Sequence, residues 1–412
     1  MSDGRSGIGR RSFIKNGLMG AAGIGALSAW PSSLQGGQKG FTAPAGDIKK
    51  DGFITRKLGK TGVTLPVVSM GVMNSDNENL IRAALDAGII HLDTAHGYMR
   101  GRNEEQIGKV LQGRPRDSYF IATKVAGEPV ADNRSRLFTA DTKAEPFLEK
   151  FELSLKRLGL DYVDVLYLHN VLYRDAVLFE PLLKALESAK KSGKARFIGV
   201  STHSNEHEVI RAAVESRVLD VVLSAYNFRK DNLAELDKAI AEANAAGVGI
   251  IAMKTLAGGF FDRARKEPIN VKAALKWALG NPGITSAIPG MTSFDQLQTN
   301  LGVVKDITLT DEEKKDLKLA PPDGGLYCQG CNQCLAQCPR ELPIPSLMRS
   351  YMYAYAYRNM GEAYDLVASL GLGQDPCASC DRCAVKCAKG FDVRERATDV
   401  ARLGGLPAEF FA

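Results

Sequence analysis

Short apolar runs alternate with amphipathic segments along the chain between Phe53 and Leu319. The apolar runs are Val67–Val72, Ile89–Ala95, Tyr119–Val125, Val163–His169, Ala195–Ser201, Leu219–Asn227, Val248–Leu256 and Ile284–Gly290. The segments between them have the periodicity of helices packed by one face, as in Asn103–Leu111, Pro146–Leu158, Pro181–Lys191, Leu233–Ala245 and Val271–Leu279. Eight strands, each followed by a helix, over roughly 250 residues predict an α/β fold, a (β/α)8 TIM barrel.

An open, doubly wound sheet would also alternate strands with helices. Such sheets usually have a glycine-rich phosphate-binding turn after their first strand. No G-x-G-x-x-G motif follows the first apolar run of this chain, so the pattern favours the barrel. One helix start is marked by Asn103 with Gln106 three residues later, which resembles a capping box.

The carboxyl ends of the predicted strands carry polar residues, and barrels place their chemistry at these ends. The residues concerned are Asp93, Tyr98, Lys124, His169, Ser201, Thr202, Tyr226, Asn227, Lys254 and Thr255. A lone Asp or His at a strand end is often a capping or buried hydrogen-bonded group. Asp93, Tyr98, Lys124 and His169 lie at the ends of three successive strands, and together they favour a catalytic site instead.

All eight cysteines of the 412 residues lie in two runs near the C-terminus. The runs have the spacing C-x2-C-x2-C-x3-C and comprise Cys328, Cys331, Cys334 and Cys338, then Cys377, Cys380, Cys383 and Cys387. Two-cluster bacterial ferredoxins use this spacing to bind two [4Fe–4S] clusters, and the fourth cysteine of each run binds the other cluster.

The spacing therefore assigns each cluster three cysteines of one run and the last cysteine of the other. One cluster is assigned Cys328, Cys331, Cys334 and Cys387, and the second is assigned Cys377, Cys380, Cys383 and Cys338. Zinc also binds C-x2-C pairs, but zinc ribbons use two pairs rather than two quartets. Disulfides fit less well, because triplets at x2 spacing are poorly suited to mutual bridging. The tail is expected to be a small ferredoxin-like α+β iron–sulfur domain.

The N-terminus resembles a twin-arginine export signal. Arg10-Arg11-Ser12-Phe13-Ile14-Lys15 precedes a mild apolar stretch from Leu18 to Trp30, which is too short to span a bilayer comfortably. That route carries folded proteins, which suits clusters that are assembled before export. The expected location is the periplasm, with a membrane anchor if the signal is not cleaved.

The net charge of +6 is concentrated in this leader. Residues 1–45 contain five basic residues and one acidic residue, so they carry +4 and leave about +2 for the rest of the chain. Such a balance gives no indication of nucleic-acid binding. No later segment is long and apolar enough to be a membrane span.

Several motifs in the barrel region resemble the aldo-keto reductase family. They are Leu92-Asp93-Thr94-Ala95-His96-Gly97-Tyr98, Asn103-Glu104-Glu105-Gln106-Ile107-Gly108-Lys109, Ile121-Ala122-Thr123-Lys124, Asp164-Val165-Leu166-Tyr167-Leu168-His169, Ile198-Gly199-Val200-Ser201 and Ile288-Pro289-Gly290, with a lead-in Arg56–Gly62. The resemblance covers roughly residues 53–305, and the cysteine-rich tail matches a bacterial branch of the family.

The resemblance implies a catalytic tetrad of Asp93, Tyr98, Lys124 and His169. Tyr98 would exchange a proton with the carbonyl or alcohol oxygen, and His169 would orient that oxygen or share the proton. A free tyrosine has a pKa of about 10. We expect the ammonium of Lys124, held by Asp93, to favour the phenolate.

The resemblance also implies a nicotinamide cofactor, NAD or NADP, lying across the barrel mouth. The matching positions are Ser201, Thr202, Lys254, Gly290, Thr292, Ser293 and Asn300. Gln296 stands where the family usually has a basic residue for the 2′-phosphate, and Met253-Lys254 replace the usual aromatic platform. These departures put the 2′-phosphate site of NADP in doubt and leave NAD, or a weak or altered cofactor site, as the alternatives.

Two further segments are expected to contact the barrel. The insertion Gly127–Thr142 should form a loop over its mouth. The tyrosine-rich stretch Leu347–Met360 lies between the cysteine runs and has the composition of a helix that packs the cluster domain onto the barrel. His91 is expected in the core, His96 beside the pocket and His203 at the surface.

These inferences predict a leader at 1–45, a barrel at 53–320 and an iron–sulfur domain at 321–412. The predicted function is an exported oxidoreductase that interconverts a carbonyl and an alcohol on a small, sugar-like substrate. The clusters would exchange electrons with a redox partner protein. One alternative is a non-redox barrel enzyme, such as a lyase or epimerase, with structural clusters. Another is an electron-transfer subunit whose barrel is a scaffold.

Overall fold

The structure is a computed structural model that describes residues 52–262, 264–319 and 326–411. Eight parallel strands follow an N-terminal hairpin of β1 and β2. The strands are β1 (Thr55–Lys57), β2 (Thr64–Pro66), β3 (Met70–Gly71), β4 (His91–Asp93), β5 (Phe120–Val125), β6 (Val163–Leu168), β7 (Ala195–Thr202), β8 (Val221–Ala225), β9 (Gly249–Met253) and β10 (Ile284–Ala287). The predicted twin-arginine leader, residues 1–45, lies outside the described residues.

Each strand from β3 to β9 pairs in parallel with the next strand in the sequence. Two further bridges complete the ring. Val68 pairs with Ala287 and Gly71 with Gly290, both in parallel. The predicted TIM barrel is therefore confirmed. The hairpin was not predicted. Its Leu58, Val63 and Leu65 are fully buried with the inward-facing side chains of the strands, so it adds to the core inside the ring.

Helices cover the outside of the barrel, and a second, larger core lies between them and the strands. The helices are α1 (Glu78–Asp86), α2 (Arg102–Leu111), α3 (Ala144–Leu158), α4 (Arg174–Val177), α5 (Glu180–Lys191), α6 (Glu206–Ser216), α7 (Leu233–Ala245), α8 (Val271–Leu279), α9 (Phe294–Lys305) and α10 (Asp311–Asp316).

The capping-box interpretation of Asn103 is wrong. Helix α2 begins one residue earlier, after Gly101, and has no side-chain cap. Asn103 is fully buried, donates to the carbonyl of Val72 at 2.9 Å and accepts from the Thr94 hydroxyl at 2.6 Å. Its amide therefore joins α2 to the barrel rather than starting the helix.

The C-terminal module, residues 326–411, is built around three helices: α11 (Ile344–Tyr355), α12 (Met360–Ser369) and α13 (Val393–Ala401). They share a separate hydrophobic core that includes Leu347, Tyr351 and Val400. Within these residues no strand is present, so the module is helical rather than α+β. The physical reason is the segment between the cysteine runs, which forms a packed helix pair, α11 and α12, instead of strands.

The module rests on the carboxyl ends of the barrel strands. Arg349 of α11 donates to the Asn170 side chain at 3.1 Å, and Asn359 donates to that of Asn74 at 2.7 Å. Arg265 donates to the carbonyls of Tyr355 and Ala356, the latter at 2.7 Å. The predicted interface helix thus lies at the mouth of the barrel. Among the described residues, no helix has the length and apolarity needed to cross a membrane.

Candidate active site and cluster sites

The fold brings the four tetrad residues to one end of the barrel. Asp93 is the last residue of β4, Lys124 is the penultimate residue of β5, and His169 follows β6 directly. Tyr98 opens a short 3-10 turn after β4. Parallel neighbouring strands end at the same face, so the sequence order of these residues becomes proximity in space.

Lys124 is the centre of the site. Its ammonium donates to Oδ1 of Asp93, to the Thr94 carbonyl at 2.6 Å and to the Tyr98 hydroxyl at 3.4 Å. The Lys124 and Asp93 side chains are 1% and 2% exposed. A buried charge needs such a partner, because transfer from water is costly for an unpaired ion. Lys124 is therefore held at the Tyr98 hydroxyl by a carboxylate that has few other contacts.

Burial sets the protonation states of the site. It raises the pKa of Tyr98 well above its ordinary value, and the nearby carboxylates of Asp93 and Glu362 add to the rise. The Lys124 ammonium was expected to favour the phenolate, but burial and the two carboxylates outweigh the lowering effect of Arg349, so the pKa of Tyr98 rises and favours the phenol. Burial and the charges of Lys124 and Arg349 lower the pKa of His169 well below its ordinary value. A neutral imidazole thus faces Tyr98 edge-on, with ring centroids 6.1 Å apart.

The remaining histidines differ in position. His91 is fully buried in the core beside Phe120, as expected. His96 contacts the Ser154 hydroxyl at 3.0 Å. His203 was expected at the surface, but it lines a cavity beneath the C-terminal module. This expectation was wrong because the surface of the isolated barrel is covered by a segment more than a hundred residues away in sequence.

The residues predicted to hold nicotinamide are engaged within the protein. Ser201 and Thr202 are fully buried at the end of β7. The Ser201 hydroxyl accepts from the backbone N–H of Asn170 at 3.0 Å, and the Thr202 hydroxyl donates to the Ser204 carbonyl at 2.7 Å. Lys254, after β9, lies against the rings of Tyr353 and Tyr357 of the module. The module therefore occupies the space above Lys254, while Ser201 and Thr202 are engaged within the barrel.

The residues predicted to hold the phosphates lie on a more open part of the barrel mouth. Gly290 and Thr292 are exposed. The Ser293 hydroxyl caps α9 by accepting from the backbone N–H of Gln296 at 3.3 Å. The Gln296 side chain accepts from the Thr292 amide at 2.7 Å. Residues 289–296 include no Lys or Arg.

Asn300 is the remaining predicted contact of the nicotinamide cofactor. It is buried in α9, and its Oδ1 has no hydrogen-bond partner among the described residues. Taken with the covered ends of β7 and β9, the residues present do not form an open nicotinamide site, and no 2′-phosphate site is evident.

The first predicted cluster site is a cavity between the cysteine loops. It is lined by four thiol-bearing residues from both runs and by apolar side chains: Cys328, Cys331, Cys334, Cys387, Ile344, Met348, Phe391 and Val393. The distant Cys387 thus joins the first triplet, as the ferredoxin spacing predicts. Among the described residues, no three His, Cys, Asp or Glu side chains converge on a single metal ion.

The second cysteine quartet is arranged around Cys377, which is buried. Cys380 is partly exposed and Cys383 is exposed. Gln337 exchanges hydrogen bonds with the backbone of Lys386, at 2.7 and 3.3 Å, and so joins the segments that carry Cys338 and Cys387. The assignment of Cys338 to the second cluster stays a prediction.

The insertion Gly127–Thr142 lies between the barrel and the module. Asn133 donates to the Leu370 carbonyl and Arg134 to the Leu335 carbonyl, both at 2.6 Å.

Two residues of the module, Arg349 and Glu362, also contribute to the site, and the pattern of polar residues at strand ends did not predict them. Their signal in the sequence was only their place in the helical segment between the cysteine runs.

Comparisons with known proteins agree with this architecture. The model of the Aldo/keto reductase family matches residues 64–273, and that of a 4Fe-4S dicluster domain matches residues 327–392. An uncharacterized oxidoreductase, YqkF, of Bacillus subtilis is 28% identical over 297 residues, which cover 64% of this chain and 95% of the relative. L-glyceraldehyde 3-phosphate reductase of Escherichia coli K12 is 26% identical over 336 residues, covering 66% and 93%.

A plant enzyme and a solved structure extend the comparison. L-galactose dehydrogenase of Arabidopsis thaliana is 28% identical over 291 residues, covering 61% of this chain and 88% of the relative. An aldo-keto reductase from Bacillus halodurans, solved in its holo form, superposes with a TM-score of 0.53 at 24% identity, covering 66% and 97%. This last likeness concerns the fold alone. These matches cover only about two-thirds of the chain, in agreement with a reductase barrel joined to a separate cluster domain.

Proposed function

Because the chain belongs to the aldo/keto reductase family and carries a 4Fe-4S dicluster domain, we propose that this oxidoreductase interconverts a carbonyl and an alcohol at Tyr98. The observation that carries the proposal is the contact of Lys124 with both Asp93 and Tyr98. A protonated phenol beside a held ammonium is an arrangement suited to general acid catalysis at a carbonyl oxygen.

In the reductive direction, Tyr98 donates its hydroxyl proton to the developing alkoxide. Lys124 is the adjacent donor that stabilises the resulting phenolate, and Asp93 keeps the lysine in place. The neutral His169 orients the substrate oxygen by a hydrogen bond. In the oxidative direction the same groups act in reverse, and Tyr98 receives the alcohol proton.

Reduction of a carbonyl to an alcohol consumes two electrons and two protons. Tyr98 would supply the proton that goes to oxygen, and the second proton, which goes to carbon, would come from solvent. The two [4Fe–4S] clusters, when bound by the eight cysteines, would supply the two electrons in one-electron transfers. A redox partner protein exchanges the electrons with the clusters in this proposal. The exposed Cys383 lies in the second quartet, so we assign that quartet to the partner-facing side.

The substrate we propose is small and sugar-like. Two relatives are named for reactions on L-glyceraldehyde 3-phosphate and L-galactose, both small polyhydroxylated carbonyl or alcohol compounds. We also propose export by the twin-arginine route to the periplasm, which rests on Arg10 and Arg11 in the sequence. Replacing both arginines with lysine should retain the protein in the cytoplasm in cell fractionation. Equal export of the variant would refute this route.

Tyr98→Phe tests the chemistry. The protein is purified anaerobically with its clusters, and carbonyl reduction is followed with reduced methyl viologen as the electron donor across a panel of small sugars and aldehydes. We expect turnover to fall by about 10²–10⁴-fold, the usual contribution of a general acid. Tyr364→Phe, a tyrosine of the module that stacks on Phe411, is the matched control and should leave turnover unchanged. Full activity of Tyr98→Phe would refute the mechanism.

The nicotinamide position is covered, and this supports a second candidate function: a non-redox lyase or epimerase with structural clusters. It predicts activity that is independent of the cluster redox state. Mass spectrometry of small molecules released on denaturation, with an iron count, separates the hypotheses further. We expect about eight iron atoms and no nicotinamide. An electron-transfer subunit with a scaffold barrel would lose function in cysteine variants but not in Tyr98 or Lys124 variants.

A further inference from the structure

A small cavity lies between the barrel mouth and the loop that carries the first cluster ligand. Its wall includes His203, Asn227 and Lys254 from the barrel and Cys328 and Arg349 from the module. The cavity volume is about 30 Å³. This provides room for one or two water-sized groups, about the size of the charged end of a small molecule.

Two cations face this cavity without a carboxylate partner among the described residues. Lys254 contacts only the hydroxyl of Tyr353, at 3.4 Å, and the faces of the Tyr353 and Tyr357 rings. Arg349 donates from Nη1 to Asn170, while its Nε is enclosed and has no hydrogen-bond partner. No Asp or Glu lines the cavity.

A third cation of the same wall, a lysine, shows the contrast. Lys230 is buried, donates to the Glu206 carboxylate and also donates to the Gln329 carbonyl at 2.5 Å. Lys230, which holds the module in place, is therefore neutralised by the carboxylate of Glu206. Leaving Lys254 and Arg349 unneutralised is costly, because desolvated cations without anions are unfavourable. The charges of both cations act on the carboxyl of Glu362, and burial raises the pKa of that carboxyl to about 7.

The cavity is linked to the catalytic tetrad through Arg349, although no tetrad residue lines it. Asn170, the partner of Arg349, directly follows His169 in sequence and adopts a left-handed backbone conformation with φ of 59°. The positive charges of Arg349 and Lys254 are both felt at His169. An anionic group held by these cations would therefore place the rest of a small molecule toward Tyr98.

We propose that Lys254 and Arg349 form an anion subsite that binds a carboxylate or phosphate group of the substrate. The proposal rests on the proposed function, because it assigns the carbonyl end of the same molecule to Tyr98. The cavity is too small for a nicotinamide ring, which favours a terminal anionic group of a small molecule over the dinucleotide. The subsite is shared between the two parts of the chain, so neither the barrel nor the module forms it alone.

The test is anion binding to the full-length, cluster-loaded protein, measured anaerobically by isothermal titration calorimetry at constant ionic strength. Inorganic phosphate and acetate are the probes. We expect both to bind the parent protein and to raise its unfolding temperature. Lys254→Met and Arg349→Gln should each weaken binding about tenfold or more, since each removes a charge-assisted hydrogen bond. Arg349→Lys, which keeps the charge, should retain part of the affinity.

Arg265→Gln is the matched control, because Arg265 also joins the barrel to the module but does not line the cavity. It should bind the probes as the parent does. Absence of binding, or equal affinity in Lys254→Met, would overturn the proposal. ADP-ribose supplies the second source of anion. If it binds far more tightly than phosphate and depends on Lys254, the subsite belongs to a dinucleotide and the substrate assignment is wrong. None of these readouts uses turnover, so they are separate from the Tyr98 test.

Discussion

The ammonium of Lys254 lies 4.4 Å from the ring centroid of Tyr353, so a barrel strand end and the helix between the cysteine runs share a cation–π contact. Lys254 stands where the family has an aromatic platform for nicotinamide. Here the aromatic rings come from the C-terminal module and the barrel supplies the cation. The module is thereby part of the wall of the barrel site.

The close approach of Gly330 to the barrel predicts a sensitive position. Its φ is +75°, and a Cβ there would lie 2.8 Å from the His203 carbonyl oxygen. Gly330→Ala should therefore lower stability and turnover together by shifting the module from the mouth. Gly371→Ala is the matched control, because Gly371 also has a positive φ, +61°, but nothing lies within 4 Å of its Cβ position.

Thermal unfolding and turnover of the two glycine variants separate clash from backbone strain. The control should lose only the strain of a left-handed alanine, about 1 kcal/mol. Gly330→Ala should lose distinctly more stability and most of its activity. Equal losses in both variants would mean that the approach of Gly330 to His203 is unimportant.

Asp93→Asn should damage both stability and catalysis. The substitution leaves Lys124 buried beside a neutral amide, and removing one partner of a buried ion pair typically costs about 3–5 kcal/mol. Without the carboxylate, Lys124 is also less firmly held at Tyr98, so we expect kcat to fall about 10²-fold. Chemical denaturation and steady-state kinetics measure the two effects.

Asp86→Asn provides the comparison for Asp93, since Asp86 forms an exposed ion pair with Arg114 at 2.7 Å. A pair of this kind contributes about 1 kcal/mol or less. If Asp93→Asn is no more destabilising than Asp86→Asn, the buried pair does not organise the site.

Double variants of the cysteines test which thiols share a cluster. Cys387→Ser should remove the first cluster, so adding Cys331→Ser should cost no further iron. Combining Cys387→Ser with Cys383→Ser should remove both clusters. Iron counts and electron paramagnetic resonance of anaerobically purified protein measure this. Additive iron loss in the first pair would contradict the crossed assignment.

Anion binding should depend on pH through Lys254. Burial and the charge of Arg349 lower the pKa of this lysine to about 7. The charged form binds anions, so acetate affinity should be full below pH 7 and fall about tenfold per pH unit well above it. A bound anion favours the ammonium, so binding between pH 7 and 9 should take up protons.

Lys254→Arg removes this titration, because a guanidinium stays charged throughout the range. Its acetate affinity should stay nearly constant from pH 7 to 9 in calorimetric titrations. The same decline in the parent and in Lys254→Arg would place the titrating group elsewhere, with Glu362 the first candidate.

The sequence predicted the barrel and the tetrad because both depend on local signals. Strand periodicity placed Asp93, Lys124 and His169 at strand ends. Parallel pairing of these strands then brings the three residues to the same end of the barrel. The cysteine spacing likewise predicted that Cys387 would join the first triplet. These features follow from the order of short motifs along the chain.

What the sequence missed depends on packing between distant segments. Arg349 reaches Asn170 across 179 positions, and no local pattern indicates such a contact. His203 was expected at the surface because the module that covers it had no predicted position. The helical character of the module was missed because ferredoxin-like cysteine spacing specifies the cluster loops but leaves open the structure between them.

The loop Cys328-Gln329-Gly330 serves the cluster and the barrel within three residues. Cys328 is a predicted iron ligand, the Gln329 side chain accepts from Asn227 at 2.9 Å, and Gly330 lies on His203. Oxidative loss of the first cluster is therefore expected to free this loop from the active site, as well as to remove an electron carrier. We therefore expect a chain that has not received its iron to lack a finished substrate pocket as well.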